Sequence, residues 1–243
     1  TSIDLTKWRT RLPGGYDHYN DELERYVDSG ITVSNGTLKL TARARPYDPA
    51  NPGHAPSPSG FNYQLFDSGC ISSHALLSYG YFEARVKLPT GVGVWPAFWL
   101  LPNANYQGEI DIMEFVNNGG TEHPNMIHHN NLCDWPGSLA YWADVNENTQ
   151  FGYWAAPSTL SPTYFTDDWH VLGCYWNELD NTTTIYIDGY PVVQRRLGPH
   201  GQLSAIIFNM AMGGGWPTTN GSGQAWTQPV SLTDQVFEVD YCR

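Results

Sequence analysis

The sequence predicts an all-β protein, an antiparallel two-sheet β-sandwich, and three observations lead there. Short runs alternate apolar and polar residues with a period of two. Gly, Pro and Asn punctuate the chain between these runs. No amphipathic stretch is convincing as a helix of more than three turns.

Taken in order, Gly36–Ala42 alternates and reads as a strand. The Arg45–Gly60 segment holds Pro46, Pro49, Pro52, Pro56 and Pro58, so it is expected as a loop thrown out from one fold rather than a linker between two. Tyr81–Leu88 alternates again, with Phe82, Ala84, Val86 and Leu88 on one face and Glu83, Arg85 and Lys87 on the other. Thr182–Ile187, Asp188-Gly189 and Tyr190–Val193 form a hairpin signal, since both Asp and Gly tolerate positive φ in a two-residue turn. Gln235–Tyr241 closes the chain with a further alternating run. No repeat, low-complexity linker or charge run divides the 243 residues, so a single domain over 1–243 is expected.

Twelve Lys and Arg against twenty-four Asp and Glu give a formal charge of −12. A phosphate backbone needs a basic track to displace its counterions, so nucleic acid is excluded as a partner, and sulfated polysaccharides are disfavoured. No apolar run approaches the length of a membrane span. Only 15% of residues are charged while 14% are aromatic, including ten Trp. That surface of Gly, Ser, Thr, Asn, Tyr and Trp suits a secreted carbohydrate-active protein. The opening Thr1-Ser2-Ile3-Asp4 has neither a starting Met nor a signal segment, as in a processed chain or a trimmed one. Cys70, Cys133, Cys174 and Cys242 form no C-x-x-C pair, so two disulfides are expected rather than zinc, with three connectivities open. Sequons at Asn35, Asn181 and Asn220 permit glycosylation.

The chemistry concentrates in Gly108-Glu109-Ile110-Asp111-Ile112-Met113-Glu114. Ile110, Ile112, Met113 and Phe115 make this a strand, and i, i+2 spacing sets Glu109 and Asp111 on one face. Glu114 would fall on the other face unless one extra residue, a β-bulge at Ile112-Met113, returns it. The two Glu are then four effective steps apart, about 13 Å between Cα atoms, and converging side chains bring their carboxyls to roughly 5–6 Å. That separation belongs to retaining glycosidases, whereas an inverting pair stands wider to admit water. Crowded carboxyls repel, so at least one is expected to hold its proton near neutrality.

This motif resembles the signature of glycoside hydrolase family 16 in its laminarinase-like, bulged form. Ser68–Ser73, Tyr79–Arg85, Gly93–Pro102, Asn209–Pro217 and Val239–Tyr241 are similar to the family's flanking segments. The resemblance implies a concanavalin-like β-jelly roll with a substrate cleft on its concave face. It implies an endo-β-1,3-glucanase with a β-glucan substrate, mixed β-1,3/1,4 linkages included. By the same similarity Glu109 is the nucleophile, Glu114 the acid and base, and Asp111 a hydrogen-bond partner of the nucleophile. Met113 is the bulge residue, and no cofactor serves the reaction. His128 falls beside the acids, with His129 turned to the other face. Trp95, Trp99 and Trp216 resemble cleft tryptophans, whose flat rings suit the apolar faces of glucose. Asn20 and Glu22 match a segment at the cleft edge, and Arg85 joins the candidates for substrate binding. Many family members carry a structural calcium on the convex face, for which Asp240 is the candidate ligand. The usual acidic opening segment is not recognisable before Ile3-Asp4. Two alternatives stay open, a relative acting on galactan or agarose and a non-catalytic β-glucan-binding protein. A secreted monomer is the simple expectation.

Overall fold

The computed structural model describes residues 2–15, 20, 22–45, 65–102, 108–119, 126–132, 149–152, 165–196, 201–217 and 231–243. Along these the strands are β1 (Trp8–Arg9), β2 (Glu24–Tyr26), β3 (Ile31–Ser34), β4 (Thr37–Ala44), β5 (Phe66–Ser68) and β6 (Cys70–Leu77). There follow β7 (Gly80–Lys87), β8 (Val94–Pro102), β9 (Glu109–Glu114), β10 (Met126–Leu132) and β11 (Thr149–Gly152). The last are β12 (Trp169–Trp176), β13 (Thr182–Ile187), β14 (Tyr190–Arg196), β15 (Ser204–Met212) and β16 (Gln235–Cys242).

They build two sheets. A seven-stranded sheet runs β1-β6-β15-β8-β9-β10-β11, and a nine-stranded sheet runs β14-β13-β12-β7-β16-β4-β5-β2 with β3 on β4. Among the described residues the strand pairs are antiparallel except β2 with β5, which run parallel. The Asp188-Gly189 turn joins β13 to β14 with both residues at positive φ, 50° and 82°, as a two-residue hairpin requires.

Alternation sorts each strand's side chains. Phe82, Ala84 and Val86 of β7, Leu172 and Cys174 of β12 and Phe237 and Val239 of β16 point into one apolar core. Phe98 and Leu100 of β8, Ile110, Ile112 and Met113 of β9 and Phe208 and Met210 of β15 meet them from the seven-stranded sheet. Phe98 and Phe208 stack at 4.5 Å and 6°. The outer face of the seven-stranded sheet carries a second cluster, in which Leu12 and Tyr26 cover Ala97, Trp99, Leu101 and Ile207.

Two expectations need correcting here, those for Arg85 and for the disulfides. Arg85 is on the outer face of the nine-stranded sheet, where it ion-pairs with Asp240 at 2.8 Å and lies 4.8 Å from the Trp169 ring centre. The core lies between it and the acids of β9. Asp240, the candidate calcium ligand, is the carboxylate of that ion pair. Among the described residues no group of three or more His, Cys, Asp or Glu is arranged to hold a metal ion. Finally, Cys174 and Cys242 are free thiols, so the four cysteines do not make two disulfides; Cys133 lies outside the described residues. Cys174 is in the apolar core and Cys242 packs against it, and burial pushes both thiols up, away from the reactive thiolate.

Candidate active site

The register of β9 shows a bulge. Against β8, Glu114 pairs with Ala97 and Met113 with Phe98, but the next partner of Trp99 is Asp111, leaving Ile112 without one. Against β10, Glu114 pairs with His128, Asp111 with Asn130 and Glu109 with Leu132. Five steps on β9 therefore span four steps on its neighbour. The physical cause is the core's appetite for both Ile112 and Met113, 1% and 0% exposed, which face the same side in succession. Glu109, Asp111 and Glu114 consequently share the outer face of the seven-stranded sheet.

Burial pushes all three acids up. For Glu109 and Glu114 it reaches about 7, with desolvation first and, for Glu114, the charge of Glu109 second. Asp111 rises well above its ordinary value, through desolvation and then the charges of Glu109 and Glu114. The hydrogen bond between Asp111 and Glu109 lowers Glu109 and raises Asp111. A protonated Asp111 thus donates to an ionised Glu109.

Glu114 has partners on both sides. Trp95 Nε1 donates to Glu114 Oε1 at 2.9 Å. His128, the register partner of Glu114, is fully buried and lies 4.4 Å from the Trp216 ring, edge to face. Trp216 also meets Trp95 edge to face at 5.5 Å. The three rings thus close around one carboxyl. His129 opposes the bulge, is fully buried, and its Nδ1 lies within hydrogen-bond distance of the Asp111 carbonyl.

Asn20 and Glu22 lie beside this group. The Asn20 amide donates to Glu22 Oε2 at 2.6 Å, Glu22 bridges Gly213, and the Gly215 amide donates to the Asn20 carbonyl at 2.8 Å. The charge of Glu22 is close enough to raise Glu114. Trp99 has the same face as Trp95 but a different situation. It is only 8% exposed beneath Leu12 and Tyr26, and its Nε1 donates to Asn209 Oδ1 at 2.8 Å. It packs beside the acids, as the register partner of Asp111, instead of offering an open ring. Arg85 is not brought to the site at all.

Two residues absent from the sequence-based expectation of site residues belong to this neighbourhood. Glu24 is fully buried, and one of its oxygens accepts the Met212 amide at 2.9 Å. Tyr26 hydrogen-bonds Glu24 and accepts from Asn209 Nδ2 at 3.0 Å. The Glu22, Glu24, Tyr26 spacing, with its period of two, was the available signal.

Comparison with known proteins matches residues 21–231 to the model of glycosyl hydrolases family 16. The chain is 30% identical over 257 residues to a beta-glucanase of Rhodothermus marinus, covering 99% of this chain and 79% of that one. It is 29% identical over 277 residues to glucan endo-1,3-beta-glucosidase A1 of Niallia circulans, but spans only 36% of that protein's length. Among solved structures, the catalytic domain of an endo-1,3-beta-glucanase (laminarinase) from Thermotoga petrophila aligns with a TM-score of 0.71 and 25% identity, over 100% of this chain and 92% of that one. With three acids on one face of a bulged strand and a family match over most of its length, the chain belongs to glycosyl hydrolase family 16, as a laminarinase-like member.

Proposed function

We propose that this protein is a retaining endo-glycosidase that hydrolyses internal β-1,3 linkages of β-glucan, mixed β-1,3/1,4 chains included. The observation that carries this is the bulge, which sets Glu109 and Glu114 on one face at a span of four partner-strand steps, about 13 Å between Cα atoms. From there the carboxyls reach the roughly 5 Å separation of a double-displacement pair. In the first step Glu109 attacks the anomeric carbon while Glu114 passes its proton to the departing glycosidic oxygen. A covalent glycosyl ester on Glu109 remains. In the second step Glu114 takes a proton from water, the oxygen attacks the same carbon, and Glu109 leaves as carboxylate. The Asp111 proton holds Glu109 ionised for attack, and burial keeps the Glu114 proton in place near neutrality.

The named activities of the Rhodothermus and Niallia relatives support the β-glucan assignment. Trp95 and Trp216, both partly exposed next to Glu114, offer rings to the sugar faces, with Asn20 and Glu22 at the edge. We place the protein outside the cell as a monomeric catalytic domain, where such a polymer is met.

Glu109→Ser tests the assignment. Its kcat on laminarin should fall at least about 1,000-fold, since no nucleophile remains, while oligosaccharide binding persists. Hydrolysis at the wild-type rate would remove Glu109 from its role.

A further inference from the structure

Glu24 takes no part in the chemistry above, yet it is a fully buried acid, an expensive residue to hide. Its oxygen on the Met212 amide is one of a series of ties between two segments. The Leu23 amide donates to the Met212 carbonyl at 2.7 Å, Glu22 bridges Gly213, and the Gly215 amide donates to Asn20 at 2.8 Å. The glycines permit this approach. A Cβ on Gly213 would stand 2.5 Å from Leu23 Cδ1, and one on Gly214 2.9 Å from the Asn20 carbonyl. Both also hold positive φ, 65° and 92°. Immediately beyond comes Trp216, whose ring touches Trp95 and His128 around Glu114. In the other direction Glu24 binds Tyr26, Tyr26 accepts from Asn209, and Asn209 accepts from Trp99, the register partner of Asp111.

We infer that Glu24 is a positioning residue: through the Met212 amide it locks Asn20 and the 22–24 segment onto the 212–215 turn and so fixes Trp216 as the wall that shields Glu114. The inference rests on the proposal that Glu114 is the proton donor. It extends that proposal by naming what keeps water from the donor. Deleting the carboxyl frees the turn, lets Trp216 move, and admits solvent to Glu114.

Two readouts test it, one independent of activity. In the ¹⁵N–¹H spectrum the Trp95 indole resonance reports its bond to Glu114. Glu24→Leu should displace or broaden that resonance, and Glu24→Gln should restore it, because the carboxamide oxygen still accepts the Met212 amide. In parallel, the alkaline limb of kcat/KM on laminarin should move to lower pH by about half a unit or more in Glu24→Leu, as Glu114 gains solvent. The groups facing Glu114 are Glu109 and Asp111 on its own strand, Trp95 on β8, His128 on β10, and Glu22. None is replaced by these substitutions, and release of Glu22 with its segment, whose charge raises Glu114, moves the limb in the same direction as the gain of solvent. Should Glu24→Leu fail to fold, Gly214→Ala decides, since it pushes Asn20 and the 22–24 segment away from the other side and should give the same two shifts. An unmoved indole resonance and limb in a folded variant overturn the inference, as does lost rate with the limb in place. A displaced resonance in a protein whose wild type cleaves no glucan overturns the proposed function and leaves the positioning role standing.

Discussion

Glu114 is set among two indoles, an imidazole and two further carboxyls, and the same surroundings that suit it to proton transfer burden the folded chain. A carboxyl raised from 4.5 to about 7 on folding holds its proton more tightly in the native state. Stability is therefore full below about 4.5 and is lost as pH rises through the native value near 7. Glu114→Gln removes this cost while its oxygen still accepts from Trp95 Nε1. The variant should gain about 1–2 kcal/mol at pH 8, discounted for partial solvent contact, and almost nothing at pH 4.5. Thermal unfolding at the two pH values checks this; equal gains at both would point away from a desolvated carboxyl. The acids themselves were legible in the sequence because chemistry concentrates in seven residues. The burial of His128 and Trp99 was not, since each is covered by residues distant along the chain, Trp216 in one case and Leu12 and Tyr26 in the other.

At the scale of the element, β9 departs from the strict alternation of its neighbours at one point. Ile112 and Met113 both enter the core, and this double occupancy turns Glu114 back to the face of Glu109 and Asp111. Met113→Ala should cost about 2–4 kcal/mol by leaving a cavity between the sheets. Ile112 still anchors the bulge, so kcat of the folded variant should stay within about fivefold of wild type. Denaturant midpoints and active-site-normalised rates measure the two quantities, and a collapse of kcat with unchanged stability would separate Met113 from the core. The bulge was readable because an apolar pair interrupts a period of two beside an acid. The strap formed by residues 20 and 22–24 was less so, because its partner is the 212–215 turn, nearly the whole chain away.

Over the whole molecule, the same alternating pattern builds both sheets, and alternation alone cannot say which sheet a strand joins. That is why Arg85 looked like a cleft residue. Its strand presents a correct polar face, but β7 lies between β12 and β16 in the sheet that does not carry the acids. Arg85→Ala should consequently leave kcat and KM on laminarin within about twofold, with a stability change under about 1 kcal/mol for an exposed ion pair. A tenfold rise in KM would contradict this placement. Disulfide pairing was out of reach for a related reason, since proximity of thiols depends on sheet order. Cys174 and Cys242 remain separate thiols on β12 and β16.

The decisive measurement follows the configuration of the first product. Proton NMR recorded during early cleavage of laminarin resolves the anomer released before mutarotation mixes the two. Two displacements by carboxyls within reach of one linkage return the β anomer first. Initial appearance of the α anomer would mean that water attacks directly, and the geometry assigned to Glu109 and Glu114 would be wrong.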